Sequence, residues 1–243
     1  MDPGPNGFQD ALSRDALGIL LALLKPLTMF AVLMSVFSYV FAATPNYRLD
    51  LIIGLFLWDF FAEGTKAGLV SLHAKGFLLT KARFPSWIVV LTSVSNALIT
   101  LGVFVLVILG YLTLHGRAPG ATSIGMLLVY LVEYVLIVVG ISLAGSVLFL
   151  RYRDLNQVWD VVTQAGFFIA PIIYPIAILP EPLHFYLYVW PPTPVIQFSR
   201  SVLVLGSVPT ARANALLLGV TAIILTVGAL VFRRYAPRAA EFV

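Results

Sequence analysis

Long apolar runs without a charged side chain are the feature that most constrains this chain. Residues 87–114 contain no acidic or basic residue. As a helix rising 1.5 Å per residue, such a run crosses the hydrocarbon core of a bilayer, which is about 30 Å thick. The run is continuous, whereas a membrane-barrel strand alternates apolar and polar residues. Only 11% of the chain is charged and its mean hydropathy is +0.98. These properties predict an all-α polytopic membrane protein.

Six long apolar runs, some of which contain a few charged residues, predict six transmembrane helices in one domain over residues 1–243. The predicted spans are 24–43, 49–72, 87–114, 123–150, 155–178 and 213–232. With both termini in the cytoplasm, cations concentrate on the inner side, as the positive-inside rule requires. The inner cations are Arg14, Lys25, Lys75, Lys81, Arg83, Arg151, Arg153, Arg233, Arg234 and Arg238, and the outer ones are Arg48, Arg117, Arg200 and Arg212.

Residues 8–24 precede the first span and predict an amphipathic interface helix. One helical face is apolar (Phe8, Leu12, Ala16, Ile19 and Leu23), while Asp10 and Arg14 point away from it. Lys25-Pro26 then predicts a bend into the membrane. The alternative is a simple helical extension of the first span.

The cytoplasmic loop 73–86 alternates cations with apolar residues. Its candidate contact residues are Lys75, Phe77, Leu78, Lys81, Phe84 and Pro85. A short helix with these residues would present apolar anchors and a basic rim to a soluble partner. The same helix could instead lie on lipid headgroups, with its lysines on phosphate. The residues alone do not separate the two.

Ionisable residues also fall inside the predicted spans. Asp59, Glu63 and Lys66 share one face of span 2, where Lys66 can pair with Glu63 one turn away. This predicts a packing ion pair, or a polar patch in a pathway or at a subunit seam. Glu133 has no local partner and is expected to face protein. Small residues that allow close helix approach flank the span 2 face at Gly64 and Gly68.

One face of the first span is aromatic and is formed by Phe30, Met34, Phe37 and Phe41. Such a face can stack on sugar rings, although ordinary helix packing explains it as well.

The sequence motifs of several functional classes are absent: the chain has no cysteine, no G-x-x-x-x-G-K-[ST] phosphate loop and no hydrolase signature. Its three histidines are far apart in sequence, so no metal site is expected.

Residues 151–194 form the least ordinary stretch. RYRD makes a charged turn, and the span after it carries Pro171 and Pro175, which are expected to kink the helix. The segment LHFYLYVW is too short to cross a bilayer and is flanked by prolines. Together these features predict a re-entrant helical hairpin in the outer leaflet over residues 179–205.

The order of these segments resembles ABC-2 type permeases, and most closely the exporters of lipid-linked polysaccharide such as O-antigen or teichoic acid. The resemblance rests on RYRD, FFIAPIIYPIAILP, WPPTPVIQFSRSVL, the upstream GLFLWDFFAEGTKAGLVSL and LLTKARFPSW, and the C-terminal FRRYAPRAAEFV. It covers nearly the whole chain from about residue 20. No single piece is a strong motif, but the shared order is specific.

The resemblance implies a transport subunit of the bacterial inner membrane rather than an enzyme. Two copies would form the conduit and pair with two copies of a separate ATPase, which would bind ATP and Mg²⁺. The 73–86 loop would dock on that ATPase. The conduit residues would be Phe30, Phe37, Phe41, Trp159, Phe168 and Tyr174, and the lipid-headgroup contacts would be Arg14, Lys25 and Arg151.

Three other readings stay open on the sequence. An ABC-2 permease for a drug or a lipid would have the same architecture and a different cargo. A membrane enzyme of lipid-linked sugar metabolism would need clustered acidic residues, for which Asp154 and Asp160 are weak candidates. A proton-coupled secondary transporter would need substrate flux that follows the proton gradient.

Overall fold

The computed structural model describes the backbone of residues 5–75 and 85–237, and the side chains of these ranges from residue 23 onward. This part of the chain contains α-helices and no strand, which confirms the all-α prediction. The helices are α1 (Pro5–Val40), α2 (Tyr47–Ala74), α3 (Ser86–Leu114), α4 (Ala121–Arg151), α5 (Leu155–Ile169), α6 (Glu181–Val189), α7 (Pro192–Val204) and α8 (Ala211–Tyr235). A 3₁₀ turn, Ile176–Ile178, precedes α6.

Four helices of the described part are long and apolar enough to cross a membrane. They contain the segments Leu23–Val40, Ser86–Leu114, Ala121–Arg151 and Ala211–Tyr235. The helix α2 has 28 residues but carries several charges, and α5 has only 15 residues. The structure therefore supports a membrane protein with several spanning helices, while the count of six and the orientation of the termini stay predictions.

The charged helix α2 lies at the centre of the bundle. It packs against α1, α3, α4, α5 and α7. Its apolar residues Leu51 and Phe61 are fully buried against the core. The hydroxyl of the buried Tyr134 on α4 donates to the Leu57 carbonyl at 3.0 Å. The helices around α2 are thus positioned by a helix that carries several charged residues.

Small residues let α4 approach two neighbours closely. Gly64 faces Val138, and a Cβ on Gly68 would overlap Ser142. This confirms the predicted close approach at Gly64 and Gly68. A second crossing, between α4 and α8, is closer still, because a Cβ on Gly228 would overlap the backbone carbonyl of Gly140.

The sequence predicted an interface helix over residues 8–24 and a separate first span, and the structure does not show this division. Residues 8–24 and the first span belong to one continuous helix, α1, with Pro26 inside it. A proline removes one backbone hydrogen bond, and the turns on either side can still continue the helix. Lys25-Pro26 is therefore not a boundary between two elements, and the interface location of residues 8–24 stays a prediction.

The prediction of one continuous, kinked helix over residues 155–178 was wrong. The helix α5 ends at Ile169, and Ala170 is extended, with φ −66° and ψ 130°. Pro171 explains this end, since proline disfavours the helical conformation of the residue before it and has no N–H to donate. Pro171 therefore ends the helix rather than kinking it.

The carbonyl groups freed beyond α5 are bound by Arg200 of α7, which the sequence had placed among the external loop cations. Arg200 is only 6% exposed. Its guanidinium donates to the carbonyl oxygens of Asp50 at 2.8 Å, Pro171 at 2.6 Å and Ile172 at 3.0 Å. Tyr47 donates to the carbonyl of Ile173 at 2.7 Å. Buried non-helical backbone needs such partners, so Arg200 stabilises the segment after α5.

Candidate functional site

A cleft of about 800 Å³ lies between α1, α2 and α5. Most of its wall is apolar, with Met29 and Val32 from α1, Leu55 from α2, and Phe167 and Phe168 from α5. Ionisable side chains also line it, namely Lys25, Asp59 and Asp160. A long apolar wall beside a small charged region matches the chemistry of an amphipathic ligand.

Two interhelical ion-pair groups connect α2 to the helices that flank the cleft. Lys25 of α1 pairs with Asp59 at 3.3 Å and with Glu63. Lys66 of α2 pairs with Asp160 of α5 at 2.5 Å. The predicted pairing of Lys66 with Glu63 was wrong, because each side chain finds its partner on a neighbouring helix rather than one turn away.

A second cavity, of about 370 Å³, lies on the other side of Lys25, between α1, α2 and α3. Its wall contains Lys25, Asp59 and Glu63 together with polar side chains of α3, namely Ser93, Asn96 and Thr100. These three α3 residues are spaced by three and four positions, so they lie on one helical face. We call this cavity the polar crevice.

Aromatic rings join the α6–α7 hairpin to the centre of the bundle. The ring centroid of Trp190, which lies between the two helices, is 6.4 Å from that of Trp58 and 5.9 Å from that of Phe61, both on α2. Gly166 of α5 makes room for this contact, since a Cβ there would overlap the ring of Trp190. Sequence reasoning noted the aromatic hairpin but missed this contact, because only packing brings residues so distant in sequence together.

The predicted conduit residues on α5 and beyond it occupy different environments. Phe168 lines the cleft, and 62% of its surface is exposed. Trp159 is half-buried and donates from its indole to Thr65 at 3.0 Å. The hydroxyl of Tyr174 donates back to the carbonyls of Phe168 and Ile169, each at 3.1 Å. Of these three residues, Phe168 is the one that the cleft leaves available to a ligand.

The predicted conduit residues on α1 are half-buried. Phe30, Phe37 and Phe41 pack against the apolar core. The rings of Phe37 and Phe41 are stacked at 6.1 Å, and Phe41 also contacts Tyr47 at 5.2 Å. None of the three is among the residues that line the cleft in the described part of the chain. Their contact with sugar stays a prediction.

The other predicted site residues are described only in part. Phe77, Leu78, Lys81 and Phe84 lie outside the described residues, as does the side chain of Arg14. The ammonium of Lys75 donates to the hydroxyl of Ser93 at 3.0 Å, and Pro85 immediately precedes α3. Arg151 is exposed at the end of α4, with its guanidinium 5.4 Å from the ring centroid of Tyr152.

Long apolar helices around a charged central helix, with a cleft between α1, α2 and α5, define a polytopic helical membrane protein. The family model described as ABC-2 type transporter matches residues 6–204. The chain therefore belongs to the ABC-2 type transporter family, as its resemblance had indicated.

Curated relatives agree with this family. Two proteins from Klebsiella pneumoniae, each named O-antigen export system permease protein RfbA, are 27% identical to this chain. The first alignment covers 92% of this chain and 86% of the relative, and the second covers 93% and 87%. A protein of the same name from Myxococcus xanthus is 24% identical over 68% of this chain and 64% of its own length.

Proposed function

We propose that this chain is the permease subunit of an ATP-driven transporter that exports a lipid-linked polysaccharide, such as O-antigen, across the bacterial inner membrane. The observation that carries the proposal is the family match together with relatives named O-antigen export permeases, aligned over more than nine-tenths of the chain. The cleft adds chemical support, since an apolar wall with a charged region suits a ligand that has a lipid chain and a polar head.

Energy would come from a partner. The chain has no phosphate-binding loop of its own. Two copies of the chain would therefore form the conduit and pair with two copies of a cytoplasmic ATPase, which would bind ATP and Mg²⁺. The 73–86 loop would dock on that ATPase, with Phe77 and Leu78 as apolar anchors and Lys75 and Lys81 at the rim. Lys75 also contacts α3 through Ser93, which supports a mechanical connection from the loop to the bundle.

The α6–α7 hairpin would be re-entrant and close the outer end of the conduit. Two contacts along α2 support this arrangement. Arg200, in the last third of α7, binds the carbonyl of Asp50 near the start of α2, whereas Trp190, before α7, contacts Trp58 and Phe61 about two to three turns deeper. The tip of the hairpin would thus reach the middle of the bundle and return.

The conduit and headgroup assignments follow from this route. Phe168, Trp159 and Tyr174 would line the passage from α5 and the segment after it, and Phe30, Phe37 and Phe41 would contribute from α1. The cations Arg14, Lys25 and Arg151 would meet the phosphate groups of the carrier lipid. Of these cations, Lys25 lines the cleft directly.

The docking assignment can be tested by co-purification of the chain with its cognate ATPase. Replacing both apolar anchors, Phe77→Asp with Leu78→Asp, is expected to abolish association, because two carboxylates cannot occupy an apolar pocket of the partner. Leu205→Asp is the matched control, since Leu205 is a 71% exposed leucine in the connection between α7 and α8. Association that survives the paired substitution would show that the loop is not the docking element.

A further inference from the structure

A triad of charged side chains separates the two cavities. Lys25 and Asp59 are shared by the walls of the cleft and of the polar crevice, and Glu63 completes the triad from the crevice side. The Lys25 ammonium contacts both carboxylates. We call these three residues the charge clasp. The charge clasp therefore lies between the two cavities.

The charge clasp is also the main polar attachment of α1. Within residues 23–40, Pro26 and Leu33 are buried, and the remaining side chains are half-buried or exposed. The hydroxyls of Thr28 and Ser35 donate to carbonyls of their own helix, so they do not attach α1 to another helix. Among the described residues, Lys25 is the α1 side chain that forms salt bridges to another element. The apolar packing of α1 against the core is thus mostly partial, and the charge clasp is its polar attachment to α2.

The position of the charges indicates what surrounds them. Glu63 lies about three turns, or about 16 Å, from the end of α2 at Ala74. The side chains of Lys25 and Glu63 are 64% and 54% exposed in this protomer. Exposed charges at that depth are costly against hydrocarbon, and such residues normally face protein or water. The facing wall of the polar crevice carries Ser93, Asn96 and Thr100, which are suited to hydration.

The polar crevice has a connection toward the 73–86 loop. Ser93, at its wall, accepts a hydrogen bond from Lys75 at the end of α2 and donates to the carbonyl of Val89. Polar groups therefore continue from the loop to the charge clasp along the α2–α3 boundary.

We propose that the polar crevice is an aqueous pocket separate from the cleft, and that the charge clasp is a releasable fastening of α1 to α2. Closed, Lys25 holds α1 against Asp59 and Glu63 and divides the two cavities. Open, it frees α1 to move away from α2, which widens the cleft toward the bilayer. In this way the charge clasp regulates the cleft to which the proposed function assigns the cargo. The proposal rests on the ion pairs and not on the identity of the cargo.

The absence of cysteine in the chain makes a direct test possible. Single cysteines are placed at Asn96, in the polar crevice, and at Ile99, which is 51% exposed at nearly the same height and does not line the crevice. The full-length chain, in inside-out membrane vesicles, is treated with a charged, membrane-impermeant thiol reagent. Asn96→Cys is expected to react at least about tenfold faster than Ile99→Cys, because a thiol must be solvated to form the reactive thiolate.

The fastening is tested by repeating the measurement in clasp variants. Lys25→Met is expected to increase the labelling rate of Asn96→Cys further, since α1 is no longer held over the crevice. The charge swap of Lys25→Glu with Glu63→Lys is expected to return the rate toward that of Asn96→Cys alone. Ser35→Ala is the matched control on α1, because Ser35 bonds only its own helix.

Two results would overturn the proposal. Equal, slow labelling of Asn96→Cys and Ile99→Cys would show that the crevice is not aqueous. An unchanged rate in Lys25→Met would show that the charge clasp does not fasten α1. A cysteine at Ser207, exposed in the connection between α7 and α8 on the predicted outer side, should react in right-side-out vesicles and not in inside-out ones, which reports whether each variant still folds and inserts. No substrate is used, so failure of polysaccharide export would leave this result intact.

Discussion

At the scale of single residues, Arg200 shows how a buried cation supports broken backbone inside the bundle. Its Nε, Nη1 and Nη2 atoms each donate to a different carbonyl, on α2 and on the segment after α5. Gly54 leaves the space that the guanidinium occupies. A lysine has no planar fork and cannot reproduce three divergent hydrogen bonds. Arg200 is therefore a structural residue that its loop-like sequence context did not reveal.

Replacing Arg200 should destabilise the protein strongly. Arg200→Met is expected to lower the free energy of unfolding by about 3 kcal/mol or more, because hydrogen bonds from a charged donor contribute about 1.5–3 kcal/mol each and their carbonyls would be left buried. Thermal unfolding in detergent measures the change. Arg212→Met, at the exposed start of α8, is the control and should unfold like the unsubstituted chain. Equal stability of the two variants would contradict the role of Arg200.

The ion pairs are the residue-level feature that the sequence predicted least well. The presence of Asp59, Glu63 and Lys66 on one helix suggested a pair within that helix. In the structure, Glu63 pairs with Lys25 and Lys66 pairs with Asp160. Spacing along one helix defines only the partners one turn away, whereas these partners come from α1 and α5. Such pairings depend on how the helices pack, and one sequence does not contain that information in readable form.

At the scale of helices, a close crossing joins α4 and α8 at Gly140 and Gly228. Gly228→Ala is expected to destabilise the protein by about 1–3 kcal/mol, since the added methyl would force the two backbones apart. Gly219→Ala on the same helix is the matched control, because a Cβ there meets nothing within 4 Å. Thermal unfolding of the two variants should separate them clearly. A Gly228→Ala protein as stable as the Gly219→Ala protein would show that this crossing tolerates a larger residue.

The α6–α7 hairpin provides a second prediction about elements. Tyr186 and Trp190, replaced singly by cysteine, are expected to react with an impermeant thiol reagent only from the outer side of the membrane, if at all. The reason is that a re-entrant hairpin enters and leaves the bilayer on one side. Labelling of right-side-out vesicles reports access from the outer side, and labelling of inside-out vesicles reports access from the cytoplasmic side. Reaction of either cysteine from the cytoplasmic side would contradict the re-entrant arrangement.

Helix boundaries were predicted well where hydropathy alone determines them. The prediction of 87–114 corresponds to Ser86–Leu114, and 213–232 lies within Ala211–Tyr235. The boundary prediction failed at α5, where the apolar run continues past the end of the helix. Hydropathy reports the solvent preference of residues, and Ala170 and Pro171 are apolar whether helical or extended. The backbone restriction imposed by Pro171 decided the outcome, and it is visible in the sequence.

At the scale of the whole molecule, the sequence identified the class and the family, but not how the site is assembled. Apolar runs and segment order were enough for the first two, and the family match confirms them. The cleft depends on the placement of α1 and α5 beside α2, and its charged wall depends on Lys25, Asp59 and Asp160 meeting there. The aromatic face of α1, a candidate for sugar contact, is half-buried against the core, and its contact with sugar stays a prediction.

ATP-dependent translocation of a lipid-linked polysaccharide tests the proposed function most directly. The chain and its cognate ATPase are reconstituted in liposomes that carry the lipid-linked glycan on the ATPase side, and a lectin on the opposite side detects glycan that has crossed. We expect crossing only with ATP, Mg²⁺ and both proteins, and none with the ATPase-docking variant that carries Phe77→Asp and Leu78→Asp. Glycan that stays on its original side while the complete system moves a drug or an unglycosylated lipid would contradict the proposal.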